Sequence, residues 1–326
     1  MQGILPFVMR RLVWAPFVLL VVSLATFALG RFGPGDPVEI LEGQYHNPEV
    51  VERIRHERGL DDPFFVQYGR YMWDVLHGDL GTSFTYMGVP VEDIIFDKMW
   101  VTIQYNLVAL LIIFAIGIPA GIWAALRQGT WQDPLTIGVF LFFTSVPVLV
   151  TIPVLQFMFA LKLDWLPSSG WVERDILGLK IGILDKRIIM PILALSLPGI
   201  AGVARLMRAQ TLEVLDEDFV RTARAKGLPE FTVVSRHVAR NALLPLVTII
   251  GISLVTLLEG AFFAEVLMGI PGIGREAFDS VKSRDYDVIL GLALVLAAAF
   301  IVANIVIDIA YTFIDPRVRY QRSGVT

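Results

Sequence analysis

Residues 216–245, DEDFVRTARAKGLPEFTVVSRHVARNALLP, form a polar segment between two long apolar runs, and the rest of the chain can be organised around them. An excess of Lys and Arg close to membrane spans holds a segment on the cytoplasmic side. We therefore expect this polar segment in the cytoplasm. Its cations are Arg221, Arg224, Lys226, Arg236 and Arg240.

Within the polar segment, the pattern predicts two short helices separated by Gly227. The acidic residues 216–218 favour a helix N-terminus, and glycine is common just beyond a helix C-terminus, so the first helix is predicted over 219–226. Pro229 suits the first turn of a second helix. Apolar residues then recur at helical spacing and predict one apolar face on this second helix. They are Phe231, Val234 and Val238.

The first predicted helix carries a pair of small residues, Ala223 and Gly227, four positions apart. Small side chains at this spacing would allow the backbone of another protein to approach closely. Phe219 and Lys226 fall on the side of Ala223, whereas the arginines point elsewhere. The pattern fits a docking surface, and it also fits a solvated loop with a cytoplasmic charge bias.

The composition is that of a polytopic membrane protein. The chain has 326 residues, of which 55% are hydrophobic and 18% charged, and its mean hydropathy is +0.65. About 20 mostly apolar residues are needed to cross a bilayer. Six windows meet this requirement and predict six spans, of which the fifth runs on to about residue 263. The windows are 12–30, 99–126, 134–161, 188–204, 241–258 and 288–307.

Six spans place both termini on one side, and the cations near the span ends predict that this side is the cytoplasm. Arg10 and Arg11 precede the first apolar run, which could be read as a cleaved signal peptide or as an uncleaved first span. We favour the uncleaved span because the run is long and five more spans follow. Residues 31–98 are then exterior and form either a small folded cap, with a short helix in 48–58, or a solvated loop.

Several short motifs resemble those of peptide-type permease subunits of ABC importers, and they occur in that family's order along nearly the full chain. The polar segment is similar to the cytoplasmic EAA loop, which docks on the ATPase subunit, although only one alanine of the general Glu-Ala-Ala pattern is kept, at Ala223. The motifs are PGDP at 34–37, GDLGTS at 78–83 with PV at 90–91, RTARAKG at 221–227 with RHVARNALLP at 236–245, PGIG at 271–274 and DPR at 315–317.

The resemblance implies an all-α integral membrane protein with the type I ABC importer permease fold. It implies residues 1–30 as the N-terminal segment and first span, 31–98 as the extracytoplasmic segment and 99–314 as the permease core. A coupling loop at 209–241 lies within this core, and residues 315–326 form a cytoplasmic tail. The expected location is a bacterial or archaeal plasma membrane.

The implied partners are a second homologous permease, two ABC ATPase subunits, an extracytoplasmic substrate-binding protein, a peptide substrate and membrane lipid. The expected ATPase-coupling residues are Phe219, Arg221, Thr222, Ala223, Arg224, Lys226 and Gly227. The PGIG turn is expected to face the binding protein through Pro271, Gly272 and Gly274. The mechanism would be alternating access between inward- and outward-facing states.

Three polar residues near the predicted spans are pathway or gating candidates. Glu259 lies at the end of the fifth window, where a carboxylate is costly unless it faces the bundle or water. Asn304 and Asp308 lie on one face of the last span with Tyr311. Glu259 could equally be interfacial, and Asp308 could be a partnered carboxylate that fixes helix packing.

Other chemistry lacks the necessary motifs. No G-x-x-x-x-G-K-[ST] sequence is present, so we expect no ATP bound by this chain; no metal ligand pattern, catalytic constellation, cofactor motif or nucleic-acid motif stands out either. The chain is expected not to be an enzyme. The alternatives that stay open are a nickel or glutathione permease of the same family, or a self-sufficient secondary transporter with Asp308 or Glu259 as its ion-coupling site.

Overall fold

The structure is a computed structural model that describes residues 4–32, 53, 56, 59, 61–246, 249–251, 253 and 261–314. Of residues 4–8, 10, 12 and 307–314 it describes the backbone alone. Glu259, the side chains of Asp308 and Tyr311, the PGDP and DPR motifs and most of the predicted 48–58 helix therefore lie outside the described part.

The N-terminal half is helical. Its helices are α1 (Ile4–Phe32), α2 (Phe64–Leu76), α3 (Val91–Leu126), α4 (Gln132–Ser145) and α5 (Val148–Leu155), which continues as a π-helix over Gln156–Lys162. Two short antiparallel strands follow, β1 (Arg174–Ile176) and β2 (Leu179–Ile181), and then a 3-10 turn at Lys186–Ile188.

The C-terminal half is helical too. Its helices are α6 (Ile189–Leu215), α7 (Asp218–Ala225), α8 (Glu230–Thr232), a π-helix over Val233–Val238, α9 (Ala239–Ala242), α10 (Phe262–Met268), α11 (Ile273–Ser283) and α12 (Tyr286–Ile314). The prediction of a helical membrane protein is confirmed, and the small hairpin β1–β2 is an addition that the sequence reading missed.

Among the described residues, four helices are long and apolar enough to cross a membrane. They are Val13–Phe32, Val91–Leu126, Lys186–Leu215 and Tyr286–Val306. Two bent pairs bring the number to six if each pair is one span: Gln132–Ser145 with Val148–Lys162, bent by 96°, and Glu230–Ala242 with Leu244–Gly251, bent by 40°. Four of the six predicted windows thus match long helices, and the six-span count stays a prediction.

The chain divides into two compact units, Met1–Val101 with Pro271–Thr326, and Thr102–Ile270. In the first unit α1 packs along α12. A second core joins the start of α3 to α11 and α12, where Gly291 leaves room for the Val91 side chain. The buried members of this core are Val91, Ile94, Ile95, Ile273, Val288 and Leu292.

The GDLGTS motif is held by a buried carboxylate of the same unit. Asp285, which is 1% exposed, accepts hydrogen bonds from the Ser83 hydroxyl and from the backbone N–H groups of Phe84 and Thr85, the last at 2.9 Å. The Ser83 oxygen in turn accepts from the backbone N–H of Tyr86 at 2.8 Å. The motif has a structural role, because it fastens the turn before α3 to the start of α12.

In the second unit, glycines let α3 and α6 approach each other closely. A Cβ on Gly121 would lie 2.4 Å from the carbonyl oxygen of Ala204, and one on Gly117 would lie 2.9 Å from the Val203 side chain. These distances are too short for any larger residue. Gly117 and Gly121 therefore serve the close packing of these two helices.

The boundaries of two predicted spans differ from the structure. Helix α3 begins at Val91, eight residues before the apolar window that starts at residue 99. The additional turns contain charged residues such as Glu92 and Lys98, which an apolar window excludes but a helix can accommodate. The fifth span does not run on as one helix to residue 263. Ala261 has φ −102° and ψ 76°, outside the helical region, and a separate helix begins at Phe262.

Candidate functional site

The polar segment is a small folded element with a buried base. On α7, Val220 and Ala223 are buried at 0% and 5% exposure. They pack with Val233 and Val238 of the following π-helix. Val214 and Leu215, at the end of α6, pack against the same cluster. Helix α7 is thus fixed to α6 by apolar contacts and is not a loose loop.

The structure confirms the first predicted helix, whose observed bounds differ from 219–226 by one residue at each end. It corrects the second. Phe231, placed on the apolar face, is 83% exposed, and the buried residues are Val233 and Val238. These two are five positions apart, and they share a face because the backbone there is π-helical, with about one residue more per hydrogen-bonded turn than an α-helix.

The candidate coupling residues separate into an exposed group and a buried one. Ala223 is buried, so its small side chain serves the contact between α7 and the π-helix, and the expectation that it would meet another protein is wrong. The other six are exposed on the surface of the polar segment. They are Phe219, Arg221, Thr222, Arg224, Lys226 and Gly227.

Arg224 forms an ion pair within the polar segment. Its guanidinium donates to both carboxylate oxygens of Glu230, with the shorter contact at 2.7 Å, and these hydrogen bonds raise the pKa of Arg224. The pair joins the end of α7 to the start of α8. Arg221 is only 3.5 Å from Asp218 and both side chains are largely exposed, so this ion pair contributes little and leaves Arg221 available to a partner.

Gly227 ends the first helix in a left-handed conformation, with φ +77°. Residues other than glycine are strained in this conformation. A Cβ built on Gly227 meets no atom of the described residues within 4 Å, so the surface beside it is open to a partner.

A buried carboxyl group forms a second candidate site in the same unit. Glu265 on α10 is 0% exposed, and its Oε1 accepts hydrogen bonds from Thr102 at 2.7 Å and from Tyr105 at 2.5 Å. The Tyr105 oxygen also accepts from the backbone N–H of Ala261 at 3.3 Å. The sequence analysis did not identify this site, for which the i, i+3 spacing of Thr102 and Tyr105 on α3 was the available signal.

The same turn of α3 also holds the hairpin. The Gln104 amide donates to the carbonyl of Lys180 at 3.1 Å and accepts from the N–H of Gly182 at 2.9 Å. The loop before the hairpin is fastened to α10 by a 2.7 Å hydrogen bond from Gly170 N–H to the Met268 carbonyl. One turn of α3, residues 102–105, therefore contacts both α10 and the hairpin.

The remaining site candidates are not brought together in the described residues. Asn304 donates to the carbonyl of Phe300 in its own helix, at 2.8 Å. In the PGIG turn, Gly272 and Gly274 are buried and Pro271 is partly exposed. Ile273, which lies between them, packs into the core of the first unit. That the turn faces a binding protein stays a prediction.

No metal centre is formed by the part of the chain that the structure describes, since it contains no group of three or more His, Asp or Glu placed to hold an ion. The candidate functional groups in the described residues are thus an exposed helix on a buried apolar base and a buried carboxyl group held by two hydroxyls.

Two family models match the chain. Residues 117–320 match the binding-protein-dependent transport system inner membrane component, and residues 4–106 match the N-terminal part of the membrane component of such systems.

Curated relatives match over nearly the whole chain. A putative peptide transport system permease protein of Brucella abortus is 38% identical over 314 residues, which is 96% of this chain and 99% of the relative. The dipeptide transport system permease protein of Alkalihalophilus pseudofirmus is 35% identical over 333 residues, covering 97% and 100%. The oligopeptide transport system permease protein of Salmonella typhimurium is 36% identical over 316 residues, with the same coverage.

The fold also matches a solved structure, the inward-facing MetNI methionine ABC transporter. The TM-score is 0.56 at 16% identity, and the match covers 68% of this chain and 96% of the other. The apolar helices and the family models together make this a multi-pass inner membrane protein. The chain belongs to the family of binding-protein-dependent transport system inner membrane components, the permease subunits of ABC importers.

Proposed function

We propose that this chain forms half of the pathway by which an ABC importer carries di- or oligopeptides across the membrane. The substrate class is supported by the relatives described above, which are named as peptide, dipeptide and oligopeptide permeases. Nickel and glutathione are the alternative cargoes within the family. The other half of the pathway is a second homologous permease, identical or paralogous.

Energy enters through the polar segment, which docks on one of two ATPase subunits. The observation that carries this proposal is the two-sided character of α7: Val220 is fully buried, while Phe219, Arg221 and Lys226 are exposed. A helix that packs against its own subunit on one side and is exposed on the other can be moved by a partner that binds the exposed side. Because the buried side contacts the end of α6, the displacement reaches a long membrane helix, as alternating access requires.

The proposed topology follows from the same assignment. With the polar segment in the cytoplasm and six spans, both termini are cytoplasmic and residues 31–98 face outward, where an extracytoplasmic binding protein delivers the peptide. Residues 99–314 form the permease core, with the coupling loop at 209–241, and residues 315–326 form the tail. Pro271 and the pathway candidates Glu259, Asn304 and Asp308 keep their expected roles as part of this proposal.

The docking role can be tested at Gly227 with a matched pair of variants. Gly227→Ala introduces the backbone strain of a left-handed residue, about 1 kcal/mol, without bulk. Gly227→Arg adds a long charged side chain in the open space beside the helix. We expect Gly227→Ala to retain most of the uptake and of the ATPase stimulation by the binding protein, and Gly227→Arg to lose both while the two permeases still assemble.

Equal activity of the two variants would refute docking at this surface, because strain alone would then account for any loss. Peptide uptake by this chain reconstituted without ATPase subunits, and driven by a proton or sodium gradient, would refute the ABC mechanism itself in favour of a secondary transporter.

A further inference from the structure

The unit Thr102–Ile270 contains an apolar cavity of about 280 Å³. Its walls come from the start of α5, the middle of α6 and the start of α10. All of its lining residues are apolar, and none carries a charge. They are Val148, Ala194, Leu195, Pro198, Ala261, Phe262, Phe263 and Ala264.

A bend of the chain, a proline inside a helix and a non-helical residue lie at this cavity. Val148 follows the break between α4 and α5, where the chain bends by 96°. Pro198 has no N–H, so the carbonyl of Ala194, one turn earlier in α6, does not receive the helix hydrogen bond from residue 198. Ala261 is not helical and precedes α10.

Such interruptions carry meaning in a membrane protein. Backbone that departs from the helix is tolerated at membrane depth only when it is buried in protein or lines a cavity. In transporters, broken helices mark the place where substrate passes. The coincidence of the bend, the helix proline and the non-helical residue at one cavity indicates a site for a ligand.

The size and lining of the cavity define the ligand group. A cavity of about 150 Å³ with apolar walls is sufficient to bind benzene. The present cavity is nearly twice as large, which gives room for one aromatic or large aliphatic side chain. A helix of a neighbouring subunit, about 10 Å across, is too large to enter it. Uncharged, apolar walls disfavour a charged group, which would lose its hydration there.

We propose that this cavity receives an apolar side chain of the transported peptide during its passage, so that its shape sets a preference among peptides. This inference rests on the proposed function, peptide import. Ala261 and Phe262 are the positions where the cavity can be altered with least disturbance, because Ala261 is partly exposed and Phe262 is 39% exposed.

The test uses the assembled transporter, with its ATPases and binding protein, in proteoliposomes, and the probes are radiolabelled dialanine and diphenylalanine. Ala261→Leu fills part of the cavity and is expected to lower diphenylalanine uptake about tenfold relative to dialanine, since small steric misfits in apolar pockets change specificity by about 10–200-fold. Phe262→Ala enlarges the cavity and is expected to shift the ratio the other way.

Matched controls carry the same substitutions elsewhere in the unit. Ala115→Leu on α3 and Phe142→Ala on α4 alter exposed positions outside the cavity and are expected to leave the uptake ratio unchanged. Each variant is compared with the wild type at equal amounts of assembled complex.

An unchanged ratio in both cavity variants would overturn the inference while leaving peptide import intact, provided that the wild type takes up both probes with ATP. Equal shifts in the control variants would also overturn it. Loss of the second permease from the purified Ala261→Leu and Phe262→Ala complexes, with the ratio unchanged, would assign the cavity to subunit contact instead. Absence of uptake by the wild type would refute the proposed function, and the inference with it.

Discussion

The buried Glu265 site predicts an energetic coupling between two hydroxyl groups. Thr102 and Tyr105 donate to the same oxygen of Glu265, which is 0% exposed. Thr102→Val and Tyr105→Phe remove one donor each with almost no change of shape. Each should destabilise the protein by about 1–3 kcal/mol, the usual cost of removing one partner of a buried polar group. The destabilisation by Tyr105→Phe should lie in the upper part of this range, because the substitution also removes the oxygen that accepts the Ala261 N–H.

The double variant should cost more than the sum of the two. In either single variant one hydroxyl still donates to the shared oxygen, whereas the double variant removes both hydroxyl donors. Residues in contact typically show interaction energies of about 0.5–3 kcal/mol. Adding Glu265→Leu should recover most of the loss, since replacing all partners of a buried polar contact by apolar groups is much less costly than removing only some of them.

The measurement is thermal unfolding of the purified protein in detergent, followed by tryptophan fluorescence. For a chain of 326 residues, an unfolding entropy of about 2.1 cal/mol/K per residue makes 1 kcal/mol correspond to a shift in Tm of about 1.5 °C, so the single variants should lower Tm by roughly 1.5–4.5 °C. Strict additivity of the two substitutions, or a triple variant no more stable than the double, would show that the two hydroxyls do not share the carboxylate as the structure has it.

Three further predictions concern other contacts. Asp133 and Arg208 form a bidentate ion pair at 2.8 Å between α4 and α6, so Asp133→Ala should lower Tm. Exchanging the two residues should restore more than half of the lost Tm. If the exchange restores none of it, the contact is not pairwise. Gly121→Ala should cost about 1–3 kcal/mol and reduce the yield of folded protein, whereas Gly138→Ala, whose Cβ meets no described atom within 4 Å, should be neutral. Burial raises the pKa of the Glu276 carboxyl above 4.5, so its contribution to stability is fully present below its unfolded pKa and is lost as pH rises through its folded pKa. Thermal unfolding measured from about pH 4 to 7 should therefore show a weaker pH dependence of Tm for Glu276→Gln than for the wild type. Parallel Tm profiles of the two proteins would contradict this role of Glu276.

Local patterns in the sequence were sufficient for features that depend on neighbouring residues. The apolar windows located the long helices, and the Asp216-Glu217-Asp218 cluster with Gly227 located α7 to within a residue. These features depend on hydropathy and capping, which can be read along a single stretch of chain.

Features that depend on distant residues or on an unusual backbone could not be read in this way. Ser83 and Asp285 are 202 positions apart, and nothing near either residue indicates its partner. Val233 is buried together with Val238 because the backbone is a π-helix, whereas periodicity based on the α-helix grouped Val238 with the exposed Phe231 instead. Ala223 was interpreted by its size alone, and only the fold shows that its small side chain faces inward.

The contact between Ser83 and Asp285 has a consequence for how the chain is made. A ribosome adds about 5–20 residues per second, so Asp285 is synthesised roughly 10–40 s after Ser83, and the turn before α3 must wait for it. The unit Thr102–Ile270 is contiguous in sequence and can close before translation ends. Nascent chains released early would therefore display the turn at Ser83 unfastened ahead of a closed middle unit, and an unfastened turn is a preferred site of proteolysis.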